Sequence, residues 1–429
     1  IFEGFFMKFA VVGSGISGLS MALILSQDHE VVLYEIDDRF GGHSNTVDID
    51  YDKKKISVDT GFIVFNKLNY PNLIKLFKFL SVKYENSDMS LSIDHQKNGI
   101  EWSGQNIKTI FAKKKFFLNL KYLFAVLQIL IFNFHVKYIL NYKNLENVSL
   151  KEWLEKKFYT RSFLELYLIP MAGAIWSMPE KDIMNYPVKS LFEFFNNHKL
   201  LHGKKDRPKW LTVSGGSINY VNKIINFLKA NPKVKLFKNK GVKKINRENG
   251  IIKITDTEGN NLKVDHIFFS QNPSKVVNII NDIQKKELDI LGKFKVNKNT
   301  AYLHSDQTIM PKNKKIWSSW NIFVPKDEKH HISVTYWMNK LQNINFRTPL
   351  FLSLNPDRLP NEISIFKVID YEHPIFDNKS LTALKFLDEI QGFNNTWYCG
   401  AWSGNGFHED GIKSSLRLAN KLGIKALWD

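Results

Sequence analysis

An α/β fold built from two interwoven domains is what the sequence predicts, and three stretches predict it. Residues 8–35 read as an apolar strand, a glycine turn, a helix and a second strand. Residues 233–270 return to short strands, and residues 396–422 close with a strand, a glycine loop and a helix. A chain of 429 residues is also too long for one small core.

The first stretch carries the chemistry. An apolar strand over residues 8–12 leads into Gly13-Ser14-Gly15-Ile16-Ser17-Gly18, a helix over 19–26 and a strand ending at Glu35. Gly13 permits the tight turn, Gly15 lets backbone approach a pyrophosphate, and Gly18 lets the helix pack closely on the strand. The helix N-terminus turns unsatisfied N–H groups toward the phosphates, with Ser14, Ile16 and Ser17 in the same cradle. Glu35 closes the second strand, where a carboxylate accepts from ribose hydroxyls, and Ile36 follows it. A 2′-phosphate would call for a cation there instead. This is a Rossmann-like dinucleotide pattern.

Arg39-Phe40-Gly41-Gly42-His43 comes next. Paired glycines at this distance from the fingerprint let backbone lie against something flat or anionic. With them the chain resembles the flavin-containing amine oxidoreductase superfamily, which includes monoamine and polyamine oxidases, phytoene desaturases and protoporphyrinogen oxidase. The pattern there is GxGxxG, an acid closing the second strand, then Arg-x-Gly-Gly-Arg. His43 stands where the second Arg is expected, which weakens one phosphate contact and leaves the backbone ones.

The resemblance implies FAD as cofactor and a Rossmann-like FAD-binding domain of amine-oxidase type interleaved with an α+β substrate domain. Residues 7–80, 211–290 and 391–429 would form the first domain. Residues 81–210 (helical) and 291–390 (antiparallel sheet) would form the second. It further implies that Gly61 and Phe62 run past the flavin ring and that the Val242 backbone meets adenine. Gly400, Asp410, Gly411 and Ile412 would belong to the closing FAD motif. Its helix, starting at Gly411, would aim a positive dipole end at the flavin edge where charge develops. On the residues alone, Asp59 is equally a turn former and Val213–Ser217 a loop opening a helix. Cys399 is expected to pack in its strand rather than hold flavin covalently.

Composition limits the partners. The formal charge is +18, yet seven of the 60 basic residues are Arg. Nucleic-acid readers favour the planar Arg fork, so no nucleic-acid partner is expected, while an anionic membrane surface suits so much Lys. The single Cys399 excludes an intrachain disulfide framework, and no Cys/His spacing suits a metal. Met7 directly precedes the first strand and is expected to be the natural start, with residues 1–6 an upstream extension. No secretory leader is visible, so the Asn-x-Ser/Thr triplet at Asn147 carries little weight. The expected location is cytoplasmic, with peripheral contact at the inner membrane face as an open addition.

Between the glycine motifs lies the second domain. Residues 71–80 read as an amphipathic helix, and the runs 91–94 and 100–103 as a hairpin around Asn98-Gly99. Residues 116–136 hold sixteen apolar side chains, interrupted by Asn119, Lys121, Gln128, Asn133 and His135. Those interruptions argue against a membrane span. Two readings stay open: a buried or substrate-facing helix, or a helix lying on a membrane with Lys113 to Lys115 and Lys121 near the headgroups. Helices follow over 150–154, 163–169, 170–179 and 190–198, with prolines at their bounds. Strands are expected over 300–306, 315–320, 331–337 and 349–354, a Tyr- and Trp-bearing sheet suited to floor a pocket.

One dinucleotide fingerprint leaves no place for a nicotinamide, so the substrate itself is expected to supply the hydride. Amine oxidases of the superfamily often set a Lys near flavin N5. In the corresponding strand this chain offers Tyr302 and His304, which speaks against amine oxidation. His304, Tyr336 and Trp337 are the expected catalytic residues, with His304 as proton acceptor; each is equally an ordinary strand residue, as are His373 and His408. The expected function is an FAD-dependent desaturase or isomerase acting on a fatty-acyl or other hydrophobic substrate. An amine oxidase and a non-catalytic flavoprotein are the alternatives. Asp59–Asn66, Pro170-Met-Ala, Asn355–Asp357, Asp370–Pro374 and Gly406–Gly411 are most similar to a bacterial FAD/NAD-binding subfamily. Its members often lie beside enzymes resembling cyclopropane-fatty-acid synthases, which implies acyl-chain modification.

Overall fold

A computed structural model describes residues 6–96, 98–113, 116, 118–142, 145, 148–176, 180–201, 207–326, 332–345 and 347–429. Its organising element is a five-stranded parallel sheet in the order Val234–Phe237, Glu30–Tyr34, Lys8–Val12, His266–Phe269, Thr396–Tyr398. The strands come from three distant parts of the chain, so this sheet cannot form before the intervening segments return. In Lys8–Val12, Phe9 and Val11 enter one core while Ala10 and Val12 enter another. Burial on both faces is what a parallel sheet requires. Helices Ile16–Leu25, Ile218–Lys229 and His408–Leu422 cover one side. An antiparallel ribbon of Val242–Glu248, Ile251–Asp256 and Asn261–Val264 covers the other.

The strands on either side of Lys8–Val12 are reached in opposite directions along the sheet. This is a topological switch point, and a crevice opens at the carboxyl ends of strands there.

The second unit is a seven-stranded mixed sheet. Its order is Ile365–Ile375, Lys295–His304, Phe351–Leu354, Ser333–Trp337, Trp320–Val324, Leu91–His95, Ile100–Ser103. A helical layer packs on one face through Ile93, Trp102, Ile322 and Val334. The hairpin at Asn98-Gly99 forms as expected, with Gly99 at φ +61°. A small sheet pairs Phe65–Asn66 and Tyr84–Asn86 with Trp210–Val213.

Several elements differ from the expectation. The apolar helix runs Leu120–Tyr142, later than residues 116–136. Pro170 does not bound a helix. The chain passes from Arg161–Phe163 through a π-helical turn, Leu164–Leu168, straight into Ile169–Trp176. The wider turn, closed by Ile169 N–H to the Leu164 carbonyl, relaxes the ring clash and missing donor that Pro170 brings. The strand expected over 315–320 is a short 3₁₀ turn, Lys314–Ile316, because the Asn313 side chain accepts from Lys315 N–H; the strand follows at Trp320–Val324. Lys114, Lys115, Asn147, residues 177–179 and His331 lie outside the described residues.

Candidate functional site

Gly13 makes its turn at φ +95°. A Cβ on Gly18 would stand 1.9 Å from the Gly13 carbonyl oxygen, so only glycine allows this helix to seat on its strand. A Cβ on Gly15 would meet nothing within 4 Å, because that position faces an open crevice. Gly42 closes over it, its Cβ position 3.0 Å from Gly15 Cα. Glu35 accepts from Ser14 N–H at 2.9 Å and from the Ser14 hydroxyl through one oxygen, and from Asp37 N–H at 2.9 Å through the other. A carboxylate offers about four acceptor sites, so one remains for a ribose hydroxyl.

The segments that follow are laced together beside this crevice. Phe62 N–H donates to the His43 carbonyl at 2.7 Å, and a Cβ on Gly61 would overlap that oxygen at 2.2 Å. Asp59 is neither exposed nor a simple turn former. Its buried carboxylate accepts from Thr46 Oγ1 (2.5 Å), Ser217 N–H (2.9 Å) and Gln342 Nε2 (2.9 Å), so it anchors the start of helix Ile218–Lys229. Burial raises its pKa to about 6 against those hydrogen bonds.

From the crevice a cavity of about 2180 Å³ runs between the two units. Gly13, Ser14, Gly15, Ile16 and Ser17 line one end, with Glu35, Ile36, Arg39 and Val242. Gly42, His43, Gly61 and Phe62 line its middle. The far end is walled by Trp102, Ile129, Tyr167, Met171, Trp320 and Tyr336. A single drug-sized ligand occupies roughly 300–1,000 Å³, so there is room for a cofactor and a substrate together.

A polar cluster marks the middle. Tyr371 hydroxyl bridges Thr60 Oγ1 (2.8 Å) and Asn45 Nδ2 (3.0 Å), and its ring stacks on His43 at 5.2 Å. His373 Nδ1 accepts from Asn299 Nδ2 at 2.9 Å, which leaves the proton on Nε2. His408 stacks on Phe62 at 3.8 Å and its Nε2 meets Ser44 Oγ at 2.9 Å. All three imidazoles line the cavity. Burial lowers His373 and His408 to about 3 and, with Arg39 and Lys275, lowers His43 to about 4. At neutral pH they are uncharged; with pKa values so far below 7 they are weak terminal acceptors, but a neutral imidazole can relay a proton between its two nitrogens.

Six residues expected at the cofactor back the crevice instead of lining it. Gly18 and Gly41 shape its turns, and Gly41 N–H donates to the Ser14 carbonyl. Gly400 lies behind, its N–H held by Ser414 Oγ at 2.9 Å. The closing helix begins at His408 rather than Gly411. Asp410 therefore falls in its first turn, accepting from Asn405 (3.1 Å) and Phe407 (3.0 Å) N–H groups. Gly411 instead lets the helix approach Ile16 and Ser17, and Ile412 is core. Ala401, Trp402 and the run Asn405 to His408 are what this motif presents to the cavity.

Of the expected catalytic residues, Tyr336 lines the cavity and two do not. His304 is fully buried on the other side of the sheet, its Nε2 on Ser353 Oγ at 2.8 Å, and burial lowers its pKa to about 4. Trp337 packs edge-on to Trp317 in a separate cluster with Met310 and Phe351. From the strand Lys295–His304 it is Lys298, Thr300 and Ala301 that reach the cavity, not Tyr302 or His304. Sequence reasoning also passed over Tyr371 and Gln271. The latter follows the strand His266–Phe269 at the crevice, where the rule on carboxyl ends of strands points.

Four buried polar groups on the cavity wall have no hydrogen-bond partner among the described residues: Trp102 Nε1, Trp320 Nε1, Asn133 Oδ1 and Gln271 Nε2. Such orphans mark places where a ligand atom or water belongs. No group of three or more His, Cys, Asp or Glu among the described residues could hold a metal ion.

Comparison with known proteins agrees with this architecture. Residues 11–80 match the family model for an NAD(P)-binding Rossmann-like domain. No curated protein matches the chain by sequence. Among solved structures, a protein assigned as a protoporphyrinogen oxidase from Exiguobacterium sp. 255-15 superposes with TM-score 0.70 at 13% identity, covering 97% of this chain and 98% of the other. The fatty acid isomerase from P. acnes that produces CLA gives 0.66 at 13%, covering 97% and 98%. Cyclohexylamine oxidase from Brevibacterium oxydans IH-35A gives 0.68 at 12%, covering 97% and 99%. The chain therefore has a mixed α/β fold with a Rossmann-like dinucleotide-binding domain, the architecture of the flavin amine-oxidase-type structures.

Proposed function

We propose that this protein is an FAD-dependent oxidoreductase that takes a hydride from an apolar, chain-like acyl substrate, as a desaturase or isomerase. The observation that carries the reading is continuity. One cavity joins the glycine crevice and Glu35 to a chamber walled by Tyr167, Met171, Trp320 and Tyr336. The residues fit the cofactor: Gly15 leaves open space where a pyrophosphate would lie, and Glu35 keeps an acceptor for ribose. FAD, when bound, supplies the electron-accepting ring. The chain's part is to hold a C–H beside it, exclude water with aromatic walls, and relay a proton outward through the neutral His43, His373 and His408.

The unpaired indole N–H groups of Trp102 and Trp320 favour an acyl substrate. A carboxyl or ester oxygen accepts from them, whereas an ammonium has only donors to offer. The similarity in fold to the fatty acid isomerase from P. acnes supports the same substrate class. A second reading, amine oxidation, draws on Lys298, which reaches the cavity from the strand where amine oxidases place their lysine.

Anaerobic reduction separates the two. An unsaturated acyl ester is expected to bleach the flavin band of the reconstituted protein near about 450 nm, and a polyamine to leave it unchanged. Bleaching by the polyamine alone would replace the first reading with the second.

A further inference from the structure

The helix Leu120–Tyr142 has three faces. One packs into the helical layer through Tyr122, Ala125, Phe132, Val136 and Ile139. A second, with Val126, Ile129, Asn133 and Lys137, forms part of the cavity wall. The third faces solvent with Leu120, Phe124, Leu127, Ile131 and Phe134 exposed. Only 28% of the most apolar window of this helix is buried, far from what a core helix shows. Phe158 extends the same surface: it is 101% exposed, and its carbonyl accepts from Gln128 Nε2 of the helix at 2.8 Å. A contiguous apolar surface of this kind marks an interaction site.

Two further observations say what covers it. The rim is net cationic: Lys121 and Lys137 lie toward the two ends, Lys156 and Lys157 outnumber Glu155 beside Phe158, and the helix itself contains no acid. The cavity also opens on this face, because Leu130 and Phe134 both line it and are 65% and 76% exposed.

We propose that this surface docks on an anionic lipid bilayer, with the helix lying in the interface and the cavity mouth set against the acyl chains. Apolar side chains enter the acyl boundary while lysines meet the headgroups. Spanning is excluded by the packed face, which would have to leave the helical layer. A second copy of the chain fits less well, since a twofold contact would set these lysines against each other. The surface supports docking whatever chemistry the cavity performs.

Flotation of the FAD-loaded protein tests it, using phosphatidylcholine vesicles with and without phosphatidylglycerol. The protein is expected to float with the mixed vesicles, less with the neutral ones, and less at high salt. A triple variant, Leu120→Ser, Leu127→Ser, Phe158→Ser, is expected to bind about a hundredfold more weakly while retaining bound flavin. None of these three residues lines the cavity. Equal flotation of the variant would overturn the proposal, as would light scattering that shows a dimer which the variant makes monomeric without changing vesicle binding. Loss of acyl-ester bleaching with flotation intact would refute the redox reading and leave docking standing.

Discussion

Gly15 and Gly18 are three residues apart in one turn and do different work. At Gly18 an added methyl group would overlap the Gly13 carbonyl, so Gly18→Ala is expected to cost about 3 kcal/mol or more of stability. At Gly15 it would project into empty crevice. Gly15→Ala should therefore cost the apoprotein about 1 kcal/mol or less, the loss of a good N-cap, while weakening FAD about tenfold or more. Denaturant melts beside flavin titrations check the pair; equal effects on both quantities would mean that the crevice does not face the cofactor. The glycine turn was legible because a local rule specifies it. Backbone conformation and close approach are written in the glycines themselves. His304 and Trp337 were misread for the opposite reason. His304, Phe351 and Trp337 pair as one cross-strand row facing away from the chamber, whereas Leu352 and Tyr336 line it from the next row. Period-2 alternation divides a strand into two faces but does not say which face a distant segment will cover.

Among the elements, the closing helix shows what local pattern reading loses. A glycine at 411 suggested a start; the structure starts at His408 because Asp410, reaching back to Asn405 and Phe407 N–H groups, fixes the turn before it. Burial raises the pKa of this acid, the backbone N–H groups only partly countering it. Asp410→Ala is expected to destabilise the protein by about 1–2 kcal/mol and to weaken FAD, because Asn405 to His408 form part of the cavity wall. Unchanged flavin affinity in that variant would separate the loop from the cofactor site. The π turn before Pro170 was equally hidden: proline forecasts a break, and a wider helical turn accommodates it without one. It carries Leu166 and Tyr167 to the cavity wall.

For the chain as a unit, interleaving makes stability and site inseparable, since both the sheet and the cavity need segments hundreds of residues apart. Its acid response follows from buried histidines. In the folded state His43, His198 and His304 titrate at about 4, His373 and His408 at about 3, against 6.5 when unfolded. Between those values the unfolded chain binds more protons, so stability falls as pH drops below 6.5. Asp59 and Asp94, raised from 3.8 to about 6, act in the other direction over their own window. Burial also lowers His29 and His266 and raises Asp410, so seven histidines outweigh three carboxylates. The urea midpoint of the apoprotein is expected to decrease from pH 7 to about pH 5; an increase would show that the carboxylates dominate.

The most direct measurement is a titration of purified apoprotein with FAD, read by co-elution on gel filtration and by absorbance near about 450 nm. Saturation at one flavin per chain, reduced in affinity by Gly15→Ala, is the expected result. Protein that elutes colourless at every FAD concentration would contradict it.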